Sequence, residues 1–137
     1  DLICRFEGFS PIIYVCPAGY PTIGYGHVVT EKNKEHFLDG IDEDAALELL
    51  SKDVQRAEQS VLRLIGVPLA QPQFDALVSF TFNLGGGALQ RSTLRRKINR
   101  GDDDDVPAEF LKWVWAGGRR LKGLARRRAA EADLYLS

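Results

Sequence analysis

The sequence predicts an α+β fold in which a small N-terminal lobe with a β-hairpin and a mainly helical C-terminal lobe are joined by a long helix. Three observations carry that prediction. A stretch rich in Gly, Pro and Tyr lies near the start, at residues 14–29 (YVCPAGYPTIGYGHVV); apolar residues then recur at steps of 3 and 4 from Leu47 to Leu64; and a nearly unbroken apolar segment follows Pro72. The 137 residues fit one domain or two small lobes sharing a core, and 45% hydrophobic with 27% charged residues is the balance of a chain that buries a core.

Taken in order, Leu2, Ile3 and Phe6 sit at near-helical spacing and stop at Gly8, which predicts a short helix ending beside Glu7. In residues 14–29, two prolines, three glycines and three tyrosines separated by Ile and Val predict short strands with tight turns, a small hairpin. Asp42 is the expected N-cap of a long amphipathic helix carrying Leu47, Leu50, Val54, Ala57, Val61 and Leu64, with Gly66 to Pro68 as its stop. Pro72 opens the next helix, whose Phe74, Leu77, Val78 and Phe82 make it apolar almost all round, and Gly85 to Gly87 are expected to end it. Ser92 is placed to cap a helix over 93–100 with Leu94 and Ile98 inward, Arg95, Arg96, Lys97 and Arg100 toward solvent, and Gly101 at its end. Further helices are expected over 108–115, after the aspartates 102–105, and over 124–136. The expected organisation is one domain: an N-terminal lobe over about 1–45, a connecting helix over about 42–65 and a helical lobe over about 66–137.

Composition excludes several classes. The densest apolar stretch, Ala76 to Leu84, is broken by Ser79, Thr81 and Asn83 and is short of the roughly 18 to 20 residues of a membrane span. Two cysteines, Cys4 and Cys16, without CxxC spacing or a His cluster, predict neither a disulfide scaffold nor a metal site, and no phosphate loop is present. A net charge of -1 argues against a nucleic-acid partner, although the charge is uneven: residues 30–60 carry four Lys or Arg against nine acids, and residues 106–137 carry seven against three. The chain starts at Asp1 and contains no Met, so an initiator, a signal peptide or an anchor could have preceded it.

The segment that carries chemistry is Glu7 to His27, with the spacing E-x8-C-x5-T over Glu7, Cys16 and Thr22. Cleavage of a glycosidic bond requires a proton donor on the leaving oxygen, and an apolar setting such as Phe6, Phe9 and Ile12 suits a carboxyl that must stay protonated. The alternative for Glu7 is a surface residue in the last turn of a helix. His27 invites a general-base reading because an unperturbed imidazole titrates near pH 6.5.

The blocks EGF, Tyr14, PAGYPTIGYGH, QFDALVSFTFNLG, STLRRKINRGD, EFLKW and GLARRRAAE, in this order along nearly the whole chain, closely resemble the phage-type lysozymes of glycoside hydrolase family 24. That resemblance implies a lysozyme-like fold with the active site between the lobes, and an endolysin that hydrolyses the β-1,4 bond between N-acetylmuramic acid and N-acetylglucosamine in peptidoglycan with inversion. It assigns Glu7 as general acid, Cys16 to a position usually held by Asp, and Thr22 to hold the attacking water. It also makes Val28, Phe82, Asn83 and Thr93, with Ser92 beside them, candidates for lining the glycan groove. Under it, His27 holds the hairpin against Glu7 and its surroundings, Tyr14 and Tyr25 are packing residues with a polar tip, and Arg127 is the expected partner of Glu7. No cofactor is implied. The implied partner is the glycan strand, met by a monomer made in the host cytoplasm and acting on the wall from the periplasm.

Cys16 departs from the usual pattern, since an Asp is anionic at pH 7 while an unperturbed thiol, with a pKa of about 8.5, is mostly neutral. Thiolate base or stabiliser, nucleophile toward the sugar, and passive spacer remain open for it. A regulatory Cys4–Cys16 disulfide, known in some relatives, is weighed against Cys4 as a simple apolar residue. Two other functions stay in view: a lytic transglycosylase using Glu7 alone, and a non-catalytic wall-binding module.

Overall fold

The computed structural model describes residues 2–16 and 20–137, with the side chains of Leu2, Cys4 and Arg5 excluded. Its contacts group into two compact units, residues 1–54 and 55–137, with one helix running through the boundary.

In the first unit, helix α1 (Leu2–Glu7) leads into a three-stranded antiparallel sheet of β1 (Ser10–Val15), β2 (Pro21–Gly24) and β3 (His27–Val28) in the order β1-β2-β3. The expected two-stranded hairpin is thus a three-stranded meander, and its first strand begins at Ser10 rather than Tyr14. The Ser-Pro-Ile-Ile run before Tyr14 carries the β-branched residues that favour a strand. An irregularity between Ser10 and Tyr14 lets β1 bend while Tyr14 still pairs with Thr22. Ile23, Val29 and Phe37 form the core of the unit, with Ile13, Ile41 and Leu49 packed against them. Helix α2 (Glu43–Leu64) starts where expected: Asp42 Oδ1 accepts the Ala45 N–H at 2.8 Å, the N-cap bond.

The second unit is built on α3 (Gln71–Leu84), α4 (Gly86–Arg91), α5 (Thr93–Arg100), α6 (Val106–Phe110) and α7 (Lys122–Leu136), with a short ribbon of β4 (Trp115–Ala116) and β5 (Arg119–Arg120). Six consecutive residues of α3, Ala76 to Thr81, are buried, as a helix apolar all round requires. Its Phe80 meets Phe110 edge-on at 5.7 Å and Trp113 at 5.5 Å, and Phe110 lies 5.8 Å from Tyr135 of α7. Ser92 caps α5 by accepting the Arg95 N–H at 3.0 Å.

The glycine run ends α3 at Leu84 as expected, with Gly85 as its C-cap, but a further short helix not foreseen in the sequence, α4, starts at Gly86, where a β-carbon would lie 2.8 Å from Ser60 Oγ. Two expectations are corrected here. The helix expected over 108–115 stops at Phe110, because the aromatic and β-branched residues Trp113 to Trp115, followed by Gly117 and Gly118, favour a hairpin. The basic face of α5 is only partly solvated. Arg95 reaches the Leu64 and Gln90 carbonyls, and Lys97 is drawn to the buried Glu109 at 3.0 Å, which Lys112 meets at 2.7 Å.

Hydrogen bonds from Lys112 and Lys97 hold the Glu109 carboxyl below the usual carboxylate range against the opposing effect of burial. A depressed folded-state pKa stabilises above the unfolded value and loses that contribution as pH falls through the folded one. Glu109→Gln is therefore expected to lower the melting temperature at pH 7, and the gap to the parent protein should close in thermal scans below about pH 4. Ser92→Ala is expected to cost about 1 kcal/mol in urea unfolding, the usual worth of an N-cap.

Candidate active site

Glu7 is the last residue of α1, and Gly8 follows it with φ +66°, ending the helix there. Its carboxylate lies against the turn between β2 and β3. A β-carbon on Gly26, which adopts φ +79°, would stand 2.9 Å from Glu7 Cδ and collide with Oε2. Only a glycine leaves that space to the carboxylate. Beside it opens a hollow of about 250 Å³ lined by Glu7, Gly8, Phe9, Ser10 and Tyr14. The turn is tied down twice: the rings of Phe9 and Tyr25 lie 5.7 Å apart, and Tyr25 donates its hydroxyl to Glu43 Oε1 at 3.1 Å.

Across the sheet, Tyr14, Thr22 and Val28 stand opposite one another on β1, β2 and β3. Thr22 is buried and its hydroxyl donates to the Tyr20 carbonyl at 2.9 Å, the same oxygen that accepts the Cys16 N–H at 2.9 Å. One carbonyl therefore locates both Thr22 and the half-buried Cys16. Val28 is 47% exposed on the outer strand. Burial, and then the charges of Glu7 and Cys16, raise the pKa of the Tyr14 phenol, so Tyr14 lies within electrostatic reach of both groups. The resemblance alone gives Tyr14 the part of a packing residue with a polar tip. The Cys4–Cys16 disulfide falls on a side chain outside the described residues.

His27 finds a different anchor from the one expected. Its Nδ1 lies 2.8 Å from Asp53 Oδ2 on α2, and its ring packs edge-on against Phe37 at 5.6 Å, so it fastens β3 to the long helix. Twenty-six residues separate the pair, and no local pattern marks Asp53.

The remaining candidates lie in the second unit. Phe82 and Asn83 are half-buried near the end of α3, and Asn83 Oδ1 accepts from Arg128 Nη2 at 2.9 Å. Thr93 Oγ1 accepts from Arg96 at 2.9 Å. Ser92 is 2% exposed, and its hydroxyl accepts the capping bond from Arg95 and donates to the Leu89 carbonyl at 2.8 Å, which leaves it one acceptor position. Arg127 is buried, donating to the Ser79 carbonyl at 3.2 Å and pairing with Glu131 at 3.4 Å. Arg128 meets Glu131 at 2.7 Å and lies 5.2 Å over the Phe80 ring. Burial raises the pKa of Glu131, opposed by both arginines and the Ser79 hydroxyl. Glu131 was missed in the sequence, where its only signal is the i, i+3 and i, i+4 spacing to Arg128 and Arg127.

Among the described residues no cluster of His, Cys, Asp or Glu is arranged to hold a metal, and no helix is long and apolar enough to cross a membrane. What the first unit offers is a half-buried carboxyl at an open hollow and, on β2 and the loop after β1, a hydroxyl and a thiol located by one carbonyl.

The family model described as phage lysozyme matches residues 4–131. An endolysin of Bacillus phage B103 is 42% identical over 139 aligned residues, covering 100% of this chain and 52% of its own length, so this chain spans about half of that relative. An endolysin of Acyrthosiphon pisum secondary endosymbiont phage 1 is 40% identical, with 99% of this chain and 93% of that protein covered. Among solved structures, the muramidase domain of SpmX from Asticaccaulis excentricus superposes with a TM-score of 0.84 at 34% identity, over 99% of this chain and 92% of that one. The endolysin from Escherichia coli O157:H7 phage FAHEc1 superposes at 0.81 and 34% identity, over 100% and 89%. By family model, relatives and structure together, this chain belongs to the phage lysozyme family.

Proposed function

We propose that the chain is a muramidase that hydrolyses the β-1,4 bond between N-acetylmuramic acid and N-acetylglucosamine in peptidoglycan, acting as a monomer on the wall from the periplasmic side. The observation that carries this reading is the seat of Glu7, a half-buried carboxyl at an open hollow, held against a turn that has no β-carbon to displace it. Endolysin relatives and the SpmX muramidase domain support the same substrate class.

In the reaction, protonated Glu7 donates to the glycosidic oxygen as the bond to the anomeric carbon breaks. A water attacks that carbon from the opposite face. Thr22 has committed its own proton to the Tyr20 carbonyl, so its oxygen is left as an acceptor that can orient this water. Cys16, located by the same carbonyl, takes the water's second role as thiolate, receiving its proton or stabilising the charge that develops. The products are a new non-reducing end and a reducing sugar of inverted configuration; Cys16 then returns its proton to solvent and Glu7 regains one. Val28, Phe82, Asn83 and Thr93 are the proposed glycan contacts, and Arg127 serves by orientation. His27 acts through Asp53 on the position of β3 and not on the substrate.

Clearing of peptidoglycan suspensions tests the assignments. Glu7→Gln is expected to lose about 10²- to 10⁴-fold in rate, the range removed with a general acid. Gly26→Ala, with Glu7 intact, should lower kcat about tenfold or more while KM changes little, since it displaces the proton donor by part of an ångström. Cys16→Asp is expected to stay active and Cys16→Ser to fail; a fully active Cys16→Ser would reduce the sulfur to a spacer. Reducing ends identified by mass spectrometry complete the test, and 1,6-anhydro ends would overturn the hydrolytic reading.

A further inference from the structure

Of the four basic residues of α5 expected to face solvent, two are spent inside the fold, Arg95 on backbone carbonyls and Lys97 on Glu109. The uncommitted positive charge lies elsewhere. From Phe110 to Ala130 the chain contains no Asp or Glu, and Arg119, Arg120, Lys122 and Arg126 within that span are all exposed. Among the described residues no carboxylate forms an ion pair with any of these four.

At the centre of this span is the ribbon of β4 and β5. Trp115 stands directly opposite Arg120 and Ala116 opposite Arg119, and the Leu121 N–H donates to the Val114 carbonyl at 2.9 Å, which closes the base of the ribbon. Residues directly opposed on antiparallel strands share a face. The indole of Trp115, 62% exposed, and the guanidinium of Arg120 therefore stand side by side, while Ala116, Gly117 and Gly118 leave the approach to them low. An exposed indole presents a flat apolar face, and a guanidinium presents a fork matched to a carboxylate.

We propose that Trp115 and Arg120, within the field of Arg119, Lys122 and Arg126, form a second binding surface for peptidoglycan, on residues that take no part in the reaction. The indole stacks on a sugar ring and Arg120 pairs with a lactyl or stem-peptide carboxylate of the same strand. The inference rests on the muramidase reading for the identity of that strand. Charge complementarity and the pairing of one flat ring with one fork select an acidic glycan. A lipid surface would ask for a larger apolar face than one indole flanked by alanine and glycines provides.

The test is co-sedimentation with purified insoluble peptidoglycan, using the Glu7→Gln chain so that the wall is not digested. Trp115→Ala and Arg120→Glu are each expected to weaken binding about tenfold, the loss that goes with one charge-assisted or stacking contact. Trp115→Phe should keep most of the binding, and rising salt should erase the difference between Arg120→Glu and the parent. With Glu7 restored, the Trp115→Ala chain should clear intact wall more slowly yet cleave short soluble glycan fragments at the parental rate. Parental binding by both variants overturns the inference, as does stronger partition of the parent onto vesicles of anionic phospholipid than onto wall; neither touches the muramidase reading if the parent still cleaves. Binding lost by the variants in a parent that cleaves nothing overturns the muramidase reading and keeps the surface.

Discussion

The carboxylate of Glu7 occupies space that any side chain at residue 26 would need, and the architecture of the first unit follows from keeping that space open. A glycine at φ +79° has no preference of its own for this conformation over others, so the turn must be held from outside. Three ties to the start and middle of α2 do so. Tyr25 bonds to Glu43 and His27 to Asp53, and Gly24 packs so closely that a β-carbon there would lie 3.1 Å from Ile41 Cδ1 and 3.2 Å from Ala46 Cβ. The long helix is thus the rigid element against which the turn, and through it the acid, is positioned, in the way a reacting group needs support from behind.

The second unit solves a different problem. Glu131 and Arg128 are fully buried and Arg127 nearly so, an arrangement that is costly unless every charge is met. Here Glu131 receives Arg128 at 2.7 Å, Arg127 at 3.4 Å and the Ser79 hydroxyl at 2.5 Å, while Arg128 also reaches Asn83 and lies over Phe80. This network locks α7 onto α3 at one register and fixes the amide of Asn83, one of the proposed glycan contacts. Removing a single partner would leave a buried charge unmet. Of the three consecutive arginines in α7, Arg126 stays in solvent and Arg127 and Arg128 are held inside.

Local signals were legible and distant ones were not. Asp42 and Ser92 were recognisable as caps because a cap needs only its own next three residues, and α3 was recognisable because its apolar run has no polar face. The helix expected after the aspartates ends short of its expected length because Trp113 to Trp115 fit a helical period as well as a strand, and the Gly-Gly pair that decides for the ribbon lies beyond them. Glu7, Cys16 and Thr22 emerged by resemblance, whereas the roles of Gly26, Tyr14, Asp53 and Glu131 depend on contacts between residues far apart in the chain. A glycine inside TIGYGH announces a turn; it does not announce whose carboxylate the turn makes room for.

The configuration of the first-formed product tests the account most directly. Proton NMR of the anomeric signal, recorded during cleavage of peptidoglycan fragments and before mutarotation, reports the face from which water attacked. An acid at Glu7 acting with water oriented by Thr22 and Cys16 predicts that the α-anomer appears first from the β-linked strand. A β-anomer appearing first would require retention through a covalent intermediate, and would contradict the proposed division of labour between Glu7 and the Thr22–Cys16 pair.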